Sequence, residues 1–273
     1  MIKKHRHPPL LWLPLLLLSP AAFAQGVPRG AEEFYNRGVE RLRQKDYAGA
    51  LADLDRAVAL RPDHAESYFQ RSFAQDGMAR QEKDIAKYGD FRKAARADID
   101  KAVALAPDRA MFYKRRAAYW LTFAVEDEEK DKIIEDLTKA ISLDPRDAEL
   151  LFLRASTLML KDDFAGALAD KDRAIALAPS NAGYYGARAR LKLIFLGDYE
   201  GAVADASKAL GLDDGEFAYE THAVRAKALL ALGRKAEAET DFRKCRSLNP
   251  RCDAKLERMS ELMEEMKRKR KAK

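Results

Sequence analysis

A thirteen-residue segment that recurs six times constrains this chain more than any other feature of its sequence. It appears as ALADLDRAVALRP from residue 50 and again, almost unchanged, as ALADKDRAIALAP from residue 167. Every copy has an aspartate at its fourth position, a basic residue at its seventh and a leucine at its eleventh. The copies begin at residues 50, 95, 133, 167, 202 and 238. A period close to 34 residues indicates a repeat architecture rather than a single globular core.

A second block precedes each copy, and both blocks have the apolar spacing of amphipathic helices. We call the first block helix A and the second helix B. Helix A carries one small residue per repeat: Gly38, Ser72, Ala117, Ala155, Ala189 and Ala226. Helix B carries another column of small residues, with Ile133 as the exception, and ends at a proline in five copies: Pro62, Pro107, Pro145, Pro179 and Pro250. Small residues on facing helices allow close approach, so each repeat is predicted to be a helical hairpin.

These columns, together with the turn aromatics Tyr47, Phe164 and Tyr199, resemble the tetratricopeptide repeat (TPR) family over about residues 31–250. The resemblance implies an all-α, right-handed solenoid whose helices A line a concave face that holds an extended peptide or a partner helix. We expect six repeats and a C-terminal capping helix with a basic tail. The ranges are 31–64, 65–109, 110–147, 148–181, 182–216 and 217–250, with the cap at 251–273. Extra residues around 79–91 and 126–131 are expected to lengthen helices or loops on one edge.

Arginine and aspartate columns predict an ion-pair ladder along the solenoid. The arginines of helix A are Arg37, Arg71, Arg116, Arg154, Arg188 and Arg225, and the aspartates of helix B are Asp53, Asp98, Asp136, Asp170, Asp205 and Asp241. Within a repeat the spacing between the two varies, whereas from each aspartate to the next arginine it is nearly constant. We therefore expect the register that joins Asp53 to Arg71 and continues in the same way, with the register inside one repeat as the alternative.

The Asp-x-Asp pairs do not predict a metal site. A calcium loop needs a glycine turn and a later glutamate, and half of the copies lack the second aspartate. The chain also lacks the short motifs of hydrolases, kinases and dinucleotide-binding enzymes. We expect no enzyme and no cofactor.

The concave face is where a partner is expected to bind. Nine residues of helix A are candidates for a peptide groove: Tyr35, Val39, Phe69, Phe73, Lys114, Phe152, Ser156, Arg190 and Lys227. Aromatic anchors near cations suit an apolar peptide with acidic positions. In the alternative interpretation, the three phenylalanines pack between neighbouring repeats.

The N-terminus predicts export. Residues 1–24 combine a basic start, the apolar run LLWLPLLLL and an Ala-x-Ala end before Gln25, which is typical of a secretory signal peptide. The apolar run is too short for the alternative, a membrane anchor. Residues 25–30 are expected to be a short linker. A periplasmic protein is therefore expected, and in an oxidising compartment Cys245 and Cys252 could form a disulfide or remain two buried thiols.

Charge argues against nucleic acid as a partner. The formal net charge is +6, and removal of the leader lowers it to +3, while the last seven residues, KRKRKAK, carry +6. The rest of the chain is thus slightly acidic. We expect a protein or peptide partner and a non-catalytic scaffold. The alternative is an accessory protein for envelope polysaccharide or anionic lipid, which the basic tail could contact weakly. The sequence leaves the oligomeric state open.

Overall fold

A computed structural model describes residues 30–121, 127–213, 215 and 218–271. The predicted signal peptide, all of the linker but Gly30 and the last two residues of the basic tail lie outside this part of the chain. The described residues form thirteen α-helices and no β-strand. In chain order, the helices are α1 (Ala31–Arg43), α2 (Tyr47–Leu60), α3 (Ala65–Gln81), α4 (Ile85–Leu105), α5 (Ala110–Leu121), α6 (Asp127–Leu143), α7 (Ala148–Leu160), α8 (Phe164–Leu177), α9 (Ala182–Leu191), α10 (Tyr199–Leu212), α11 (Tyr219–Ala231), α12 (Lys235–Leu248) and α13 (Cys252–Lys271).

Consecutive helices pair into six hairpins, α1–α2 through α11–α12, and each helix B also packs against helix A of the next hairpin. This nearest-neighbour packing is that of a helical solenoid. The predicted all-α TPR-like fold is confirmed. The buried side chains form clusters along the array, the largest of which spans the second to fourth repeats.

Local sequence signals explain where helices B begin and end. Asp46, Asp163 and Asp198 precede a helix B, and each side chain accepts a hydrogen bond from the backbone N–H of a glycine three residues later, which satisfies an otherwise unpaired donor of the first turn. The C-terminal ends of helices B are set by proline, because the residue before a proline is driven out of the helical conformation. Five of the helices B stop at a leucine two residues before their proline.

The small residues of the two helices meet in the middle of each hairpin. In the first hairpin, a Cβ added to Gly38 would lie 2.8 Å from the Cγ of Leu54. Ala50 and Leu54 of α2 are completely buried there. Close approach of the two backbones therefore requires these small side chains.

The second repeat is longer than the others because both of its helices extend. Helix α3 has 17 residues and α4 has 21, whereas α1 has 13 and α2 has 14. The fifth repeat differs in another way, because a π-helical turn (Lys192–Leu196) continues α9 and ends at Gly197, whose φ of 72° lies in the left-handed region.

The C-terminal helix α13 does not continue the solenoid as a seventh helix A. It makes few contacts with α12 and instead packs on α11 and on the π-helical turn of the repeat before it. Its apolar side is buried there, through Leu256, Met259 and Met266. Helix α13 therefore crosses the surface of the last two helices A. None of the helices in the described part of the chain is long and apolar enough to cross a membrane.

Candidate functional site: the face formed by helices A

The arginine ladder fixes the two helices of each hairpin. Both the Nε and the Nη2 of Arg37 donate to the carboxylate of Asp53, at 2.8 and 2.6 Å. The same two-pronged contact recurs in the other five repeats, as Arg71–Asp98, Arg116–Asp136, Arg154–Asp170, Arg188–Asp205 and Arg225–Asp241. The aspartate side chains are only 4–9% exposed.

The register expected from sequence spacing is therefore wrong, because each aspartate binds the arginine of its own repeat and not that of the next. The spacing varies, from 16 residues in Arg37–Asp53 to 27 in Arg71–Asp98. The extra residues of the second repeat lengthen the far ends of α3 and α4, beyond the contact, so they leave the packing at the ladder unchanged.

The constant spacing to the next repeat has a different cause. The Nη1 of Arg71 reaches back to Asp55 of the preceding repeat at 2.8 Å, which is the second acidic residue of the Asp-x-Asp pair. Equivalent contacts end on Asp100, Thr138, Asp172 and Ser207. One arginine thus joins two hairpins, and the Asp-x-Asp pair is part of the scaffold. Among the residues that the structure describes, no group of three or more His, Cys, Asp or Glu could hold a metal ion.

We use the name A-face for the surface formed by helices A, namely α1, α3, α5, α7, α9 and α11. Its candidate residues have different environments. In the first two repeats, the ring of Tyr35 packs edge-on against His64, and Val39 lines an open pocket. Phe69 lines the same pocket but is only 6% exposed, because it packs against Phe112 of the next repeat, with ring centroids 4.8 Å apart. Phe73, one turn further along, is 36% exposed.

In the middle of the A-face, most of the candidate groove residues already contact neighbouring groups of the protein. The ammonium of Lys114 binds Asp147 and Glu149 at 2.9 and 2.6 Å. The ring of Phe152 stacks on Tyr184 of the next repeat. The hydroxyl of Ser156 donates to the carbonyl oxygen of Phe152 in its own helix, so its hydrogen is already used and only its oxygen could accept from a ligand.

Helix α13 covers the last part of the A-face. Lys227 donates to the hydroxyl of Ser260 on α13, so the expectation that it faces a peptide is wrong. Arg190 lies at the boundary of the covered region, between a small pocket on the A-face and the side of α13. The Nη1 of Arg270 donates to the carbonyl oxygen of Phe195 at 2.9 Å, which holds the end of α13 on the π-helical turn.

No other helix in the described part of the chain covers the A-face of the first three repeats, which contain a pocket of about 660 Å³. Its apolar lining includes Val39, Leu42, Phe73 and Met111. Met111 is 45% exposed, so two large apolar side chains, Phe73 and Met111, are accessible at this pocket. Exposed apolar side chains that line one concavity are typical of a binding surface.

Positive charge surrounds this pocket. The guanidinium of Arg115 lies 3.9 Å from the ring centroid of Phe73 and donates to the buried carboxylate of Asp76. Arg92 donates to the same carboxylate at 2.6 Å. Burial lowers the pKa of Arg115, and the charges of Arg92 and Arg80 lower it further, against the opposing effect of Asp76. Two arginines therefore share one aspartate, and the pocket can attract an anionic group.

Two charged residues interrupt apolar columns of the aligned repeats, and short catalytic or metal-binding motifs do not reveal either of them. Asp76 stands in a column of helix A that is otherwise apolar, with Leu42, Leu121, Met159, Leu193 and Leu230 in the other repeats. Lys171 stands in a column of helix B that is otherwise apolar, with Leu54, Ile99, Leu137, Ala206 and Phe242. A charge in an apolar column marks a position whose local environment differs from the repeat.

Comparison with known families agrees with the repeat pattern. Sequence models of the tetratricopeptide repeat match residues 31–64, 134–182 and 191–250, which together span more than half of the chain. The chain belongs to the tetratricopeptide repeat family. Proteins of this family generally mediate interactions between proteins. No curated protein sequence is significantly similar to the chain.

Solved structures show the same fold. PilW, a widely conserved type IV pilus biogenesis factor, superposes with a TM-score of 0.62 at 17% identity, over 85% of this chain and 98% of its own. YrrB, a TPR protein with an unusual peptide-binding site, gives 0.57 at 14% identity, over 76% and 97%. MamA from Desulfovibrio magneticus RS-1 gives 0.57 at 19% identity, over 68% and 97%. At these identities the likeness establishes the fold alone.

Proposed function

We propose that this TPR protein is a non-catalytic periplasmic scaffold that binds an extended peptide or a partner helix on the A-face of its first three repeats. The observation that carries the proposal is the open pocket beside Phe73 and Met111. It combines accessible apolar side chains with an excess of positive charge, in a fold whose members generally bind proteins.

The lining of the pocket suggests the chemistry of the partner. An apolar side chain of the partner would pack on Phe73, Met111 and Val39, where burial contributes about 25 cal/mol per Å² of apolar area. An acidic group beside it would approach Arg80 and Arg115. Such a pair of contacts sets both the position and the direction of a bound segment.

Helix α13 supports the idea that the A-face accepts a helix. It lies on the helices A of the fifth and sixth repeats with Leu256, Met259 and Met266 buried, and Lys255 and Lys227 add polar contacts at its edge. A partner helix with a similar stripe of leucine and methionine would find an equivalent but uncovered surface on the first three repeats.

Periplasmic location is supported by two features. One is the predicted signal peptide, residues 1–24. The other is the disulfide between Cys245 and Cys252, because disulfides persist in oxidising compartments and are rare in the cytosol.

The proposal is tested by affinity capture from periplasmic extract with the mature protein as bait. Met111→Glu places a charge on the apolar side of the pocket and is expected to abolish capture of the partner. Leu60→Glu is the matched control, because Leu60 is also an exposed apolar residue, at 57%, but lies at the end of helix B. Circular dichroism shows whether the Met111→Glu variant is folded. The proposal is wrong if the folded variant still captures every protein that the wild type captures.

The alternative, an accessory role at an anionic lipid or polysaccharide surface, receives less support from the structure. Lys269 and Lys267 of the basic tail lie 3.0 and 3.9 Å from Glu265 and Glu264 of the same helix, which reduces the charge available to a surface. Deletion of residues 267–273 separates the two functions: protein capture is expected to survive it, whereas binding to vesicles that contain phosphatidylglycerol would be lost if the alternative held.

A further inference from the structure

Helix α13 is attached to the array differently from the helices of the repeats. Those helices pack in hairpins and on neighbouring repeats, whereas α13 rests on the A-face through one apolar stripe. Four of its twenty residues are buried, namely Cys252, Leu256, Met259 and Met266, while α11, on which it lies, buries six of thirteen. Helix α13 can therefore leave the A-face without separating the two helices of any hairpin.

The polar contacts between α13 and α11 lie at the rim of the covered surface. The ammonium of Lys255 binds Glu220 of α11 at 2.7 Å, and the two side chains are 33% and 39% exposed. On the opposite chain direction, Lys227 of α11 donates to the hydroxyl of Ser260. Solvent screens ion pairs that are this exposed, so they contribute little to stability. The apolar stripe supplies most of the attraction, and the polar contacts orient the helix.

The packing beneath α13 is incomplete. A cavity of about 170 Å³ lies between α13 and the helices that it covers. Its apolar lining comes from Met159 of α7, from Ile194 and Phe195 of the π-helical turn, and from Met259 and Leu262 of α13. A cavity of about 150 Å³ in a protein core can hold a group as large as benzene. A helix with a larger apolar side chain at the position of Leu262 would therefore fit this surface better than α13 does.

The π-helical turn provides a polar contact for the end of a bound helix. The Nη1 of Arg270 donates to the carbonyl oxygen of Phe195, which is one of the last carbonyls of its helix and so lacks a partner within it. Gly197 ends the turn with a φ of 72°, and a Cβ added there would lie 3.3 Å from the guanidinium carbon of Arg270. The surface therefore accepts a basic residue one helical turn after the last apolar residue, Met266.

We propose that the A-face of the fifth and sixth repeats is a second docking surface, which binds an amphipathic partner helix, and that α13 is a tethered occupant which this helix displaces. The partner helix has apolar residues at the spacing of Leu256, Met259, Met263 and Met266, and a basic residue four positions after the last of them. The proposal goes beyond the proposed function, because the pocket beside Met111 lies on other repeats and each surface can be tested without the other.

The connection to α12 makes α13 a competitor that never diffuses away. Only residues 249–251 separate the two helices, and the disulfide joins Cys245 of α12 to Cys252, the first residue of α13. A displaced α13 then competes at an effective concentration on the order of 1 mM, as a short linker gives. A free copy of α13 is expected to displace half of it at about that concentration. A partner helix gains access at lower concentrations only if it fits better than α13.

Hydrogen exchange followed by mass spectrometry tests the displacement in the oxidised mature protein. The probe is a synthetic peptide that copies residues 253–271 and carries heavy isotopes, so that its fragments differ in mass from those of the protein's own α13. At about 1 mM, the peptide is expected to speed exchange in the protein's α13 by about tenfold or more, because it fills the surface and holds α13 in the open state. Exchange in α11 is expected to stay slow, since the peptide covers it.

Two variants of the peptide test the chemistry of the surface. Leu262→Phe places a larger ring at the cavity and is expected to act at a concentration about fivefold lower than that of the unaltered peptide. Met259→Glu places a charge on the apolar stripe and is the matched control, which is expected to leave exchange in α13 unchanged. The inference is wrong if the unaltered peptide does not speed exchange in α13, or if the Met259→Glu peptide speeds it equally.

Photo-cross-linking shows where the peptide binds. A photoreactive residue replaces Leu262 in the peptide, and the adduct with the wild-type protein is mapped by digestion and mass spectrometry. Cross-links are expected on α7 or on the π-helical turn, which line the cavity opposite Leu262. Adducts confined to α1, α3 and α5 would place the peptide at the pocket of the first three repeats. That result would overturn the second docking surface and leave the proposed function standing.

Discussion

The two aspartates of one Asp-x-Asp pair are predicted to differ several-fold in their contribution to stability. On α4, the carboxylate of Asp98 is 7% exposed and accepts two hydrogen bonds of 2.7 Å from Arg71. Two residues later, Asp100 is 47% exposed and accepts one of 3.1 Å from Arg116. Asp98→Ala removes two hydrogen bonds from the mostly buried guanidinium of Arg71 and leaves it only the exposed carboxylate of Asp55, which is expected to cost about 3 kcal/mol. Asp100→Ala removes a solvent-screened contact and is expected to cost about 0–1 kcal/mol.

Urea unfolding followed by far-ultraviolet circular dichroism gives the free energy of unfolding for each variant by linear extrapolation. Because a repeat array can unfold in parts, amide hydrogen exchange of α3 and α4 is measured alongside. Asp98→Ala is expected to accelerate exchange in both helices, and Asp100→Ala to leave it nearly unchanged. Equal losses of stability in the two variants would refute the division into a buried and an exposed contact.

The register of the ladder is tested by a double-mutant cycle. The Arg71→Ala and Asp98→Ala substitutions are expected to couple by more than about 1 kcal/mol, because they remove the two partners of one contact. Arg71→Ala and Asp53→Ala, which would have been partners in the register suggested by sequence spacing, are expected to act additively. Coupling in the second cycle and additivity in the first would contradict the observed pairing.

Three further predictions concern pH and redox conditions. Burial would raise the pKa of Asp241, but hydrogen bonds from Arg225 and His222 outweigh this effect and hold the pKa below its usual value. The protein is therefore expected to lose stability as the pH falls below about 4. In acid unfolding, Asp241→Asn is expected to make this loss smaller. The pKa of Lys171 is about 8, against an ordinary value of 10.5, so between these pH values the unfolded state binds more protons than the folded state. The free energy of unfolding of the wild type is therefore expected to rise by up to about 3 kcal/mol from pH 8 to 10.5. Lys171→Met is expected to lack this rise. Reduction of the Cys245–Cys252 disulfide is expected to cost about 2 kcal/mol and to speed amide exchange in α13.

Much of the fold could be predicted because the repeat presents the same signals six times. The small residues, the closing prolines and the leucines recur at the same aligned positions in most repeats, so a chance match at one position does not change the prediction. The all-α solenoid and the hairpin of each repeat follow from these columns. The arginine and aspartate columns also pointed to each other, since a buried charge needs a partner.

The register was harder to predict, because constant sequence spacing had two explanations. The residue that binds Arg71 of the next repeat is Asp55, two positions after Asp53. The spacing from the first aspartate of one repeat to the arginine of the next is therefore nearly constant, although these two residues do not bind each other. Helical periodicity alone does not distinguish a phenylalanine that packs between neighbouring repeats, as Phe69 does, from one that is exposed to a ligand in the groove. The path of α13 depends on packing against α11 and the π-helical turn, which no repeat column encodes.

The pocket on the first three repeats is the central claim, and site-specific photo-cross-linking tests it most directly. A photoreactive amino acid is placed at Phe73 or Met111 on the A-face, or at Leu60 as the control, and the mature protein is irradiated in periplasmic extract. The account predicts the same partner adduct from positions 73 and 111 and none from position 60. Adducts from position 60 alone, or equally from all three positions, would contradict it.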